Sequence, residues 1–258
     1  LFDSLNLVLI LEDLLKYSLL LVTGFFTGIL NIMAGGGSIL TLPALIYIGL
    51  DPNLANGTNR IFILMQNLTA VVAFSHEKMS YFKESFRLAL FTIPGAIAGA
   101  LLAVRIEGDV FVKILGVVTI ILSLLMFLPV NKAAEGGEIK HTRLVLYPLL
   151  FGTGFYGGFI QAGTGIFIMF VLRSVLKIDL VKVNVHKVFI AFIFTIPAFF
   201  IFVYHGQIDW LAGFMLGIGS IFGAWVSAKV VAKLGEKVIK AVLLFSSLLI
   251  ALDLLDII

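Results

Sequence analysis

The chain has 258 residues, of which 60% are hydrophobic and 13% charged, against roughly 45–50% and about 25% in an ordinary soluble domain, so a water-soluble globular domain is excluded. It contains no cysteine, which removes disulfides, thiolate metal sites, iron–sulfur clusters and Cys nucleophiles. The net charge is +3, but no Lys/Arg run or basic face interleaved with aromatics points to nucleic acid.

Runs made almost wholly of Leu, Ile, Val, Phe, Ala and Gly occupy Leu14–Met33, Ile39–Leu50, Ile61–Phe74, Leu88–Val104 and Val110–Leu128. Segment 129–143, with Asn131, Lys132, Glu135, Glu138 and Lys140, is the long polar linker. Beyond it the runs resume at Leu144–Ile160, Ile166–Leu176, Val183–Tyr204, Trp210–Val231 and Val238–Ile258. This is the pattern of an all-α polytopic membrane protein whose solvent is lipid. The sequence begins at Leu1 without a Met, and its first stretch lacks the basic start and small-residue cleavage site of a signal peptide.

The two halves, 1–128 and 144–258, align on Ala34-Gly35-Gly36-Gly37 against Ala162-Gly163-Thr164-Gly165. In that register Leu50-Asp51 meets Ile178-Asp179 and Asn56 meets Asn184. With small gaps, Gly24 and Gly28 meet Gly154 and Gly158, His76 meets His205, and Gly95 and Gly99 meet Gly219 and Gly223. The spacing predicts a tandem duplication.

Cytoplasmic loops are enriched in Lys and Arg. By that rule Lys78, Lys83 and Arg87, the 129–143 linker, the group Arg173, Lys177, Lys182 and Lys187, and the group Lys229, Lys233, Lys237 and Lys240 are all cytoplasmic. Stretch 51–60 is then external while its partner stretch 179–188 is internal, which predicts inverted-topology repeats. Each repeat is expected to be a broken-helix hairpin followed by three transmembrane helices. The second hairpin leg, Ile39–Leu50, is about 18 Å long at ~1.5 Å per residue, too short for a ~30 Å hydrocarbon core. A Gly-rich break before a short helix, at matching places of two inverted halves, points to a transporter's binding site and to alternating access.

Candidate binding residues follow from the breaks. Gly35, Gly36, Gly37 and Ser38 in one half, and Gln161, Gly163, Thr164 and Gly165 in the other, let the backbone turn close to a ligand. Ser38 is expected to cap the helix that follows. Each such helix start offers unpaired N–H groups and partial positive charge, which suits an anion. The Gly24/Gly28 and Gly95/Gly99 pairs read instead as helix-packing surfaces. Asn56, Thr58, Asn59 and Arg60 open the third segment, and Asn184, His186 and Lys187 its counterpart, bringing amide, hydroxyl, imidazole and cationic donors near each break. Arg60 and Lys187 either attract the anion or snorkel to headgroups. Gln66 and Asn67, deep in an apolar run, require a helix–helix hydrogen bond or a ligand.

All 15 carboxylates fall in loops, termini or segment ends, which leaves His186 as the titrating group nearest the expected site. The histidines show no ligand spacing, so neither a metal nor another cofactor is expected. An intramembrane serine protease with Ser38 as nucleophile and His186 as base is the enzyme alternative. It suits repeated halves less well than transport does, and no enzyme is expected.

The run Ala34-Gly35-Gly36-Gly37-Ser38-Ile39-Leu40-Thr41-Leu42-Pro43-Ala44, followed by Ala55-Asn56-Gly57-Thr58-Asn59-Arg60, closely resembles the TauE/SafE sulfite exporter family of membrane permeases. Gln161-Ala162-Gly163-Thr164-Gly165 and His205-Gly206-Gln207-Ile208-Asp209-Trp210 resemble it too, so the likeness covers essentially the whole chain. It implies movement of sulfite or small organosulfur (sulfonate) anions across a prokaryotic plasma membrane, usually outward. Where the family carries a small-residue run, this chain reads Asn184-Val185-His186-Lys187, an extra cation that leaves a different small anion open as substrate. Besides that anion, the expected partner is membrane lipid, and small-residue faces permit a homodimer.

Overall fold

In hydrocarbon, every backbone N–H and C=O must be paired within its own segment or buried in protein, and the apolar runs accordingly fold as helices. The computed structural model describes residues 2–79, 81–127 and 142–234. Among the described residues the order is α1 (Phe2–Ala34), α2 (Ser38–Tyr47), α3 (Pro52–His76), α4 (Phe82–Ala103), α5 (Gly108–Phe127), α6 (Thr142–Phe159), α7 (Thr164–Leu176), α8 (Leu180–Tyr204) and α9 (Trp210–Leu234). The expected last segment, Val238–Ile258, and the linker as far as His141 lie outside the described residues.

Four of the described helices are long and apolar enough to cross a membrane: the Ile10–Met33 part of α1, then α4, α8, and α9 through Lys229. On α9 the side chains of Leu211, Phe214, Ile218, Phe222 and Val226 are exposed at helical spacing, a stripe stable only against lipid. Helix α3 matches α8 at 25 residues yet carries Asn56, Thr58, Asn59, Arg60, Gln66 and Asn67, all buried. It survives in the membrane because it is enclosed by the other helices.

Both α3 and α8 begin earlier than the apolar runs at Ile61 and Val183 predict. The Asp51 carboxylate accepts a hydrogen bond from the Asn53 N–H at 3.0 Å with Pro52 in the first turn, and Asp179 accepts from Lys182 N–H at 2.9 Å. An acidic N-cap satisfies an orphan donor and opposes the positive helix end. As a result Asn56 and Asn184 lie more than a turn inside their helices.

The halves are interleaved. Helix α1 packs on α9 and α6 on α4, while α3 meets α9 and α8 meets α4, so exchanging the halves reproduces the contacts. The paired glycines make these approaches possible. Gly24 and Gly28 lie on the α9 backbone at Leu216 and Ser220, and Gly219 and Gly223 lie on α1 at Leu21 and Phe25. Gly95 and Gly99 face the α6 backbone at Phe151 and Phe155, and Gly154 and Gly158 face Thr92 and Ala96 of α4. Residue numbers rise together in each case, so α1 runs parallel to α9 and α4 to α6.

Equivalent helices run oppositely. Gly57 of α3 touches Phe202 of α8, whereas farther along α3 Ile63 and Asn67 share a cavity with Ala191 and Lys187. This antiparallel relation is the one an inverted repeat requires. Helix α1 stops at Gly35 and α2, of 10 residues, returns to the end from which α1 came; α6 and the 13-residue α7 do the same from the other end. One end of the bundle carries Asp51, Glu107, Asp109 and Asp209 with Lys16, Arg105 and Lys113, and the other carries Lys78, Lys83, Arg87, Arg173, Lys177, Lys182 and Lys229 with Glu77, Glu84 and Asp179.

Candidate functional site

The two helix breaks meet. Gly35 ends α1 with φ +77°, and the α6–α7 turn places Gln161 and Gly163 at φ +69°, a region that costs an ordinary side chain about 1–2 kcal/mol. A Cβ on Gly35 would lie 2.5 Å from the carbonyl carbon of Gly165, and one on Gly165 would lie 2.6 Å from the Gly35 Cα. At this crossing only hydrogen fits. Gly37 is equally confined, since its Cβ would fall 2.7 Å from the Asn31 Cβ.

Ser38 does not cap its own helix. Gly37 is the N-cap without a side-chain bond, and the Ser38 hydroxyl instead accepts from the Gly163 N–H at 3.0 Å across the seam between halves. The Thr164 hydroxyl donates to the Gln161 carbonyl at 2.7 Å. The starts of α2 and α7 therefore converge, and with them two positive helix ends.

The negative ends of α1 and α6 meet the two buried cations. The Arg60 guanidinium donates to the Gly157 carbonyl at 2.9 Å, the Gly158 carbonyl at 2.6 Å and the Gln161 Oε1 at 2.5 Å, and stacks 4.5 Å from the Phe202 ring centroid. The Lys187 ammonium donates to the carbonyls of Asn31 at 2.9 Å and Ile32 at 2.7 Å, and to Asn184 Oδ1 at 2.6 Å. Asn56 Nδ2 donates to the Phe159 carbonyl at 2.8 Å, and Asn184 Nδ2 reaches that of Met33 at 3.5 Å. Each half thus closes the C-terminal end of the other half's broken helix with an amide and a cation. Apart from that of Asn31, which also accepts from the Gly35 N–H at 2.8 Å, these last-turn carbonyls lack an intrahelical donor, and cations are favoured there. Neither cation has a carboxylate partner among the described residues.

A cavity with room for about one water-sized molecule lies at the seam, lined by Asn31, Ser38, Asn67, Gln161, Thr164, Gly165 and Lys187 and closed by Ile63 and Ala191. Of the residues expected to bind, Ser38, Gln161, Thr164, Gly165 and Lys187 line it, while Gly35 and Gly37 pack beside it. Gly36 and Gly163 complete the two turns, their carbonyls accepting from Ile39 and Ile166 N–H.

The other expected residues are engaged elsewhere. Asn59 accepts from the Thr41 hydroxyl at 2.6 Å, and Thr58 accepts from the Asp209 N–H at 2.8 Å. Gln66 accepts from Asn31 Nδ2 at 2.5 Å and donates to the Gly28 carbonyl at 3.1 Å, which makes it a helix–helix tie. His186 Nδ1 lies 2.8 Å from the Ser85 hydroxyl and its Nε2 lies 3.9 Å from Glu84. Among the described residues Ser38 bonds to Gly163 and His186 to Ser85, and no hydrogen bond joins Ser38 to His186.

Asn31 is the polar cavity residue that sequence reasoning missed, beside the apolar Ile63 and Ala191. It sits inside the apolar run Leu14–Met33, and its signal was position: a buried amide one turn before the Gly break. Ser85, the partner of His186, carried no local signal, since it comes from another helix about one hundred residues away in sequence.

The profile of the family described as "Sulfite exporter TauE/SafE" matches residues 20–254. The chain is 32% identical to the probable membrane transporter protein ORF9 of a Sinorhizobium species, over 92% of this chain and 91% of that protein. It is 29% identical to a probable membrane transporter protein of Haemophilus influenzae, over 89% and 91%, respectively. It is 26% identical to the probable membrane transporter protein YfcA of Escherichia coli K12, over 98% and 94%. No solved structure matches the chain.

Proposed function

Because the chain belongs to the TauE/SafE sulfite exporter family of membrane transporters, we propose that it is a secondary transporter that carries sulfite or a small organosulfonate outward across a prokaryotic plasma membrane. The observation that carries this reading is Lys187, a fully buried ammonium at the seam cavity whose hydrogen-bond partners are neutral. A buried charge without a counter-charge favours binding an opposite one. The convergent starts of α2 and α7 add partial positive charge on the same side. The Ser38 hydroxyl and the second N–H of the Asn31 and Gln161 amides supply donors that match an oxyanion.

Sulfite is larger than water, so its admission requires the seam to part. The two breaks touch through Gly35 and Gly165 and through the Gly163-to-Ser38 hydrogen bond, and because the halves are otherwise interleaved, alternating access parts this seam on either side in turn by movement of the helix groups around it. The end rich in Lys and Arg is the cytoplasmic one under the positive-inside rule. An inside-negative potential then favours anion exit by roughly 2.3 kcal/mol per charge per 100 mV.

Ligand-dependent stability tests the assignment. A ligand that binds the folded state at about 100 times its Kd stabilises by ~2.7 kcal/mol, so sulfite or a sulfonate at saturation should raise the unfolding temperature of detergent-purified protein. The same ligand should leave Lys187→Gln unshifted. If phosphate or nitrate stabilised the protein and neither sulfur oxyanion did, the substrate class would be wrong.

A further inference from the structure

Hydrogen-bonding atoms that are buried without a partner are rare in native proteins, and here they are not scattered. Among the described residues they are Asn53 Oδ1, Asn56 Oδ1, Asn59 Nδ2, Arg60 Nε and Gln207 Oε1. Four belong to one stretch of α3 at helical spacing, which continues through Ile63 to Asn67 at the seam cavity. The fifth is on the segment after α8, which lies against that stretch: Gly57 packs on Gln207 and Phe202, and Thr58 accepts from Asp209 N–H.

The amide orientations are set by the bonds these side chains do make. Asn53 Nδ2 donates to the Ile106 carbonyl at 2.7 Å, Asn56 Nδ2 to Phe159 and Gln207 Nε2 to the Val104 carbonyl at 3.3 Å, so in each the oxygen is left over. Arg60 spends both terminal nitrogens on α6, which leaves Nε. In the aligned register the second half has Val181 and Val188 where the first has Asn53 and Arg60. Among the described residues the partnerless buried polar atoms all lie toward the end of the bundle at which α3 begins.

We propose that this face of α3, from Asn53 to Arg60 with Gln207 opposite, is the solvated passage joining the seam cavity to the Lys/Arg-poor end of the bundle, and that it conducts a small hydrated anion. The inference rests on the transport reading above and extends it. When the 205–209 segment lifts off Gly57, water and the anion's own oxygens take up the unpaired groups, and Arg60 Nε provides a donor on the way to Lys187. Closed, the same groups cost free energy, which favours reopening.

The absence of native cysteine makes the test direct. Single variants Asn53→Cys, Asn56→Cys, Asn59→Cys and Gln207→Cys, with Phe62→Cys as a buried control on α3, are reacted with a membrane-impermeant thiosulfonate reagent. The reagent is offered in an anionic and a cationic form, to right-side-out and inverted vesicles. Passage through a minor open state predicts labelling of Asn56→Cys and Gln207→Cys about tenfold faster than Phe62→Cys, from the Lys/Arg-poor end only. The anionic reagent should react faster than the cationic one. Equal rates at Asn56→Cys and Phe62→Cys would overturn the proposal, as would faster reaction of the cationic reagent, which marks a water pocket without anion selectivity. Should Asn56→Cys not fold, Asn59→Cys provides the deep position. Labelling needs no transported substrate, so failure of sulfite flux and failure of this passage are separately visible.

Discussion

The Lys187 ammonium lies 2.7 Å from the carbonyl oxygen of Ile32, bound to the last turn of a half-helix that belongs to the other repeat. Arg60 holds the Gly158 carbonyl of α6 at 2.6 Å in the reciprocal place. Each repeat therefore supplies the charge that completes its partner's broken helix, and neither break is stable alone. The two cations differ in what they face: Lys187 lines the seam cavity, whereas Arg60 stacks on Phe202 away from it.

That difference separates their variants. Lys187→Gln removes the cation at the cavity while leaving an amide able to donate to Asn31 or Ile32. Transport is expected to fall to background with the fold retained, and Lys187→Arg should recover part of the flux. Flux measured against size-exclusion profile separates loss of binding from loss of fold.

Arg60→Met should act first on stability. It leaves the Gly157 and Gly158 carbonyls and Gln161 Oε1 without their donor, at ~1–3 kcal/mol for each orphaned group, less the desolvation of the cation itself. A net loss of about 2–4 kcal/mol and an unfolding temperature lower by roughly 5–15 °C are expected. Thermal unfolding followed by tryptophan fluorescence reads this, and Arg60→Lys should restore only part of it.

Gly165→Ala inverts the usual sign of a helix substitution. Within a helix Gly→Ala ordinarily stabilises by up to ~1 kcal/mol, but a Cβ here would lie 2.6 Å from the Gly35 Cα. Overpacking of about 1–3 kcal/mol should dominate. Reduced unfolding temperature in Gly165→Ala, beside a small increase in Gly152→Ala, a mid-helix position where nothing lies within 4 Å, is the expected pair of results.

Gln66→Leu tests a structural tie. It removes the acceptor of Asn31 and the donor to the Gly28 carbonyl, so a loss of roughly 1–3 kcal/mol is expected. Asn31 remains bound through its backbone to Lys187, so sulfite affinity in the folded fraction should change less than in Lys187→Gln, as titration calorimetry at low temperature would show.

Much of this architecture is legible in the chain because lipid leaves few choices: apolar runs must be helices, and the Gly35-Gly36-Gly37 and Gly163-Thr164-Gly165 breaks recur in register. The glycine pairs at 24/28, 95/99, 154/158 and 219/223 advertise close helix packing, which is where the structure has them. What local reading does not reach is pairing across halves. Ser38 looks like an N-cap until Gly163 is beside it, and His186 looks unpartnered until α4 brings Ser85. Arg60 reads as a ligand-facing cation, but its partners come from residues about a hundred positions away. The early starts of α3 and α8 were signalled by Asp51-Pro52 and Asp179, polar residues that a search for apolar runs passes over.

The most direct measurement is uptake of radiolabelled sulfite by proteoliposomes under an imposed membrane potential, for the wild-type chain and Lys187→Gln at equal reconstituted amounts. An anion carried at the seam predicts saturable, potential-dependent flux in the wild type and none in the variant. Equal sulfite flux in both proteins would contradict the account.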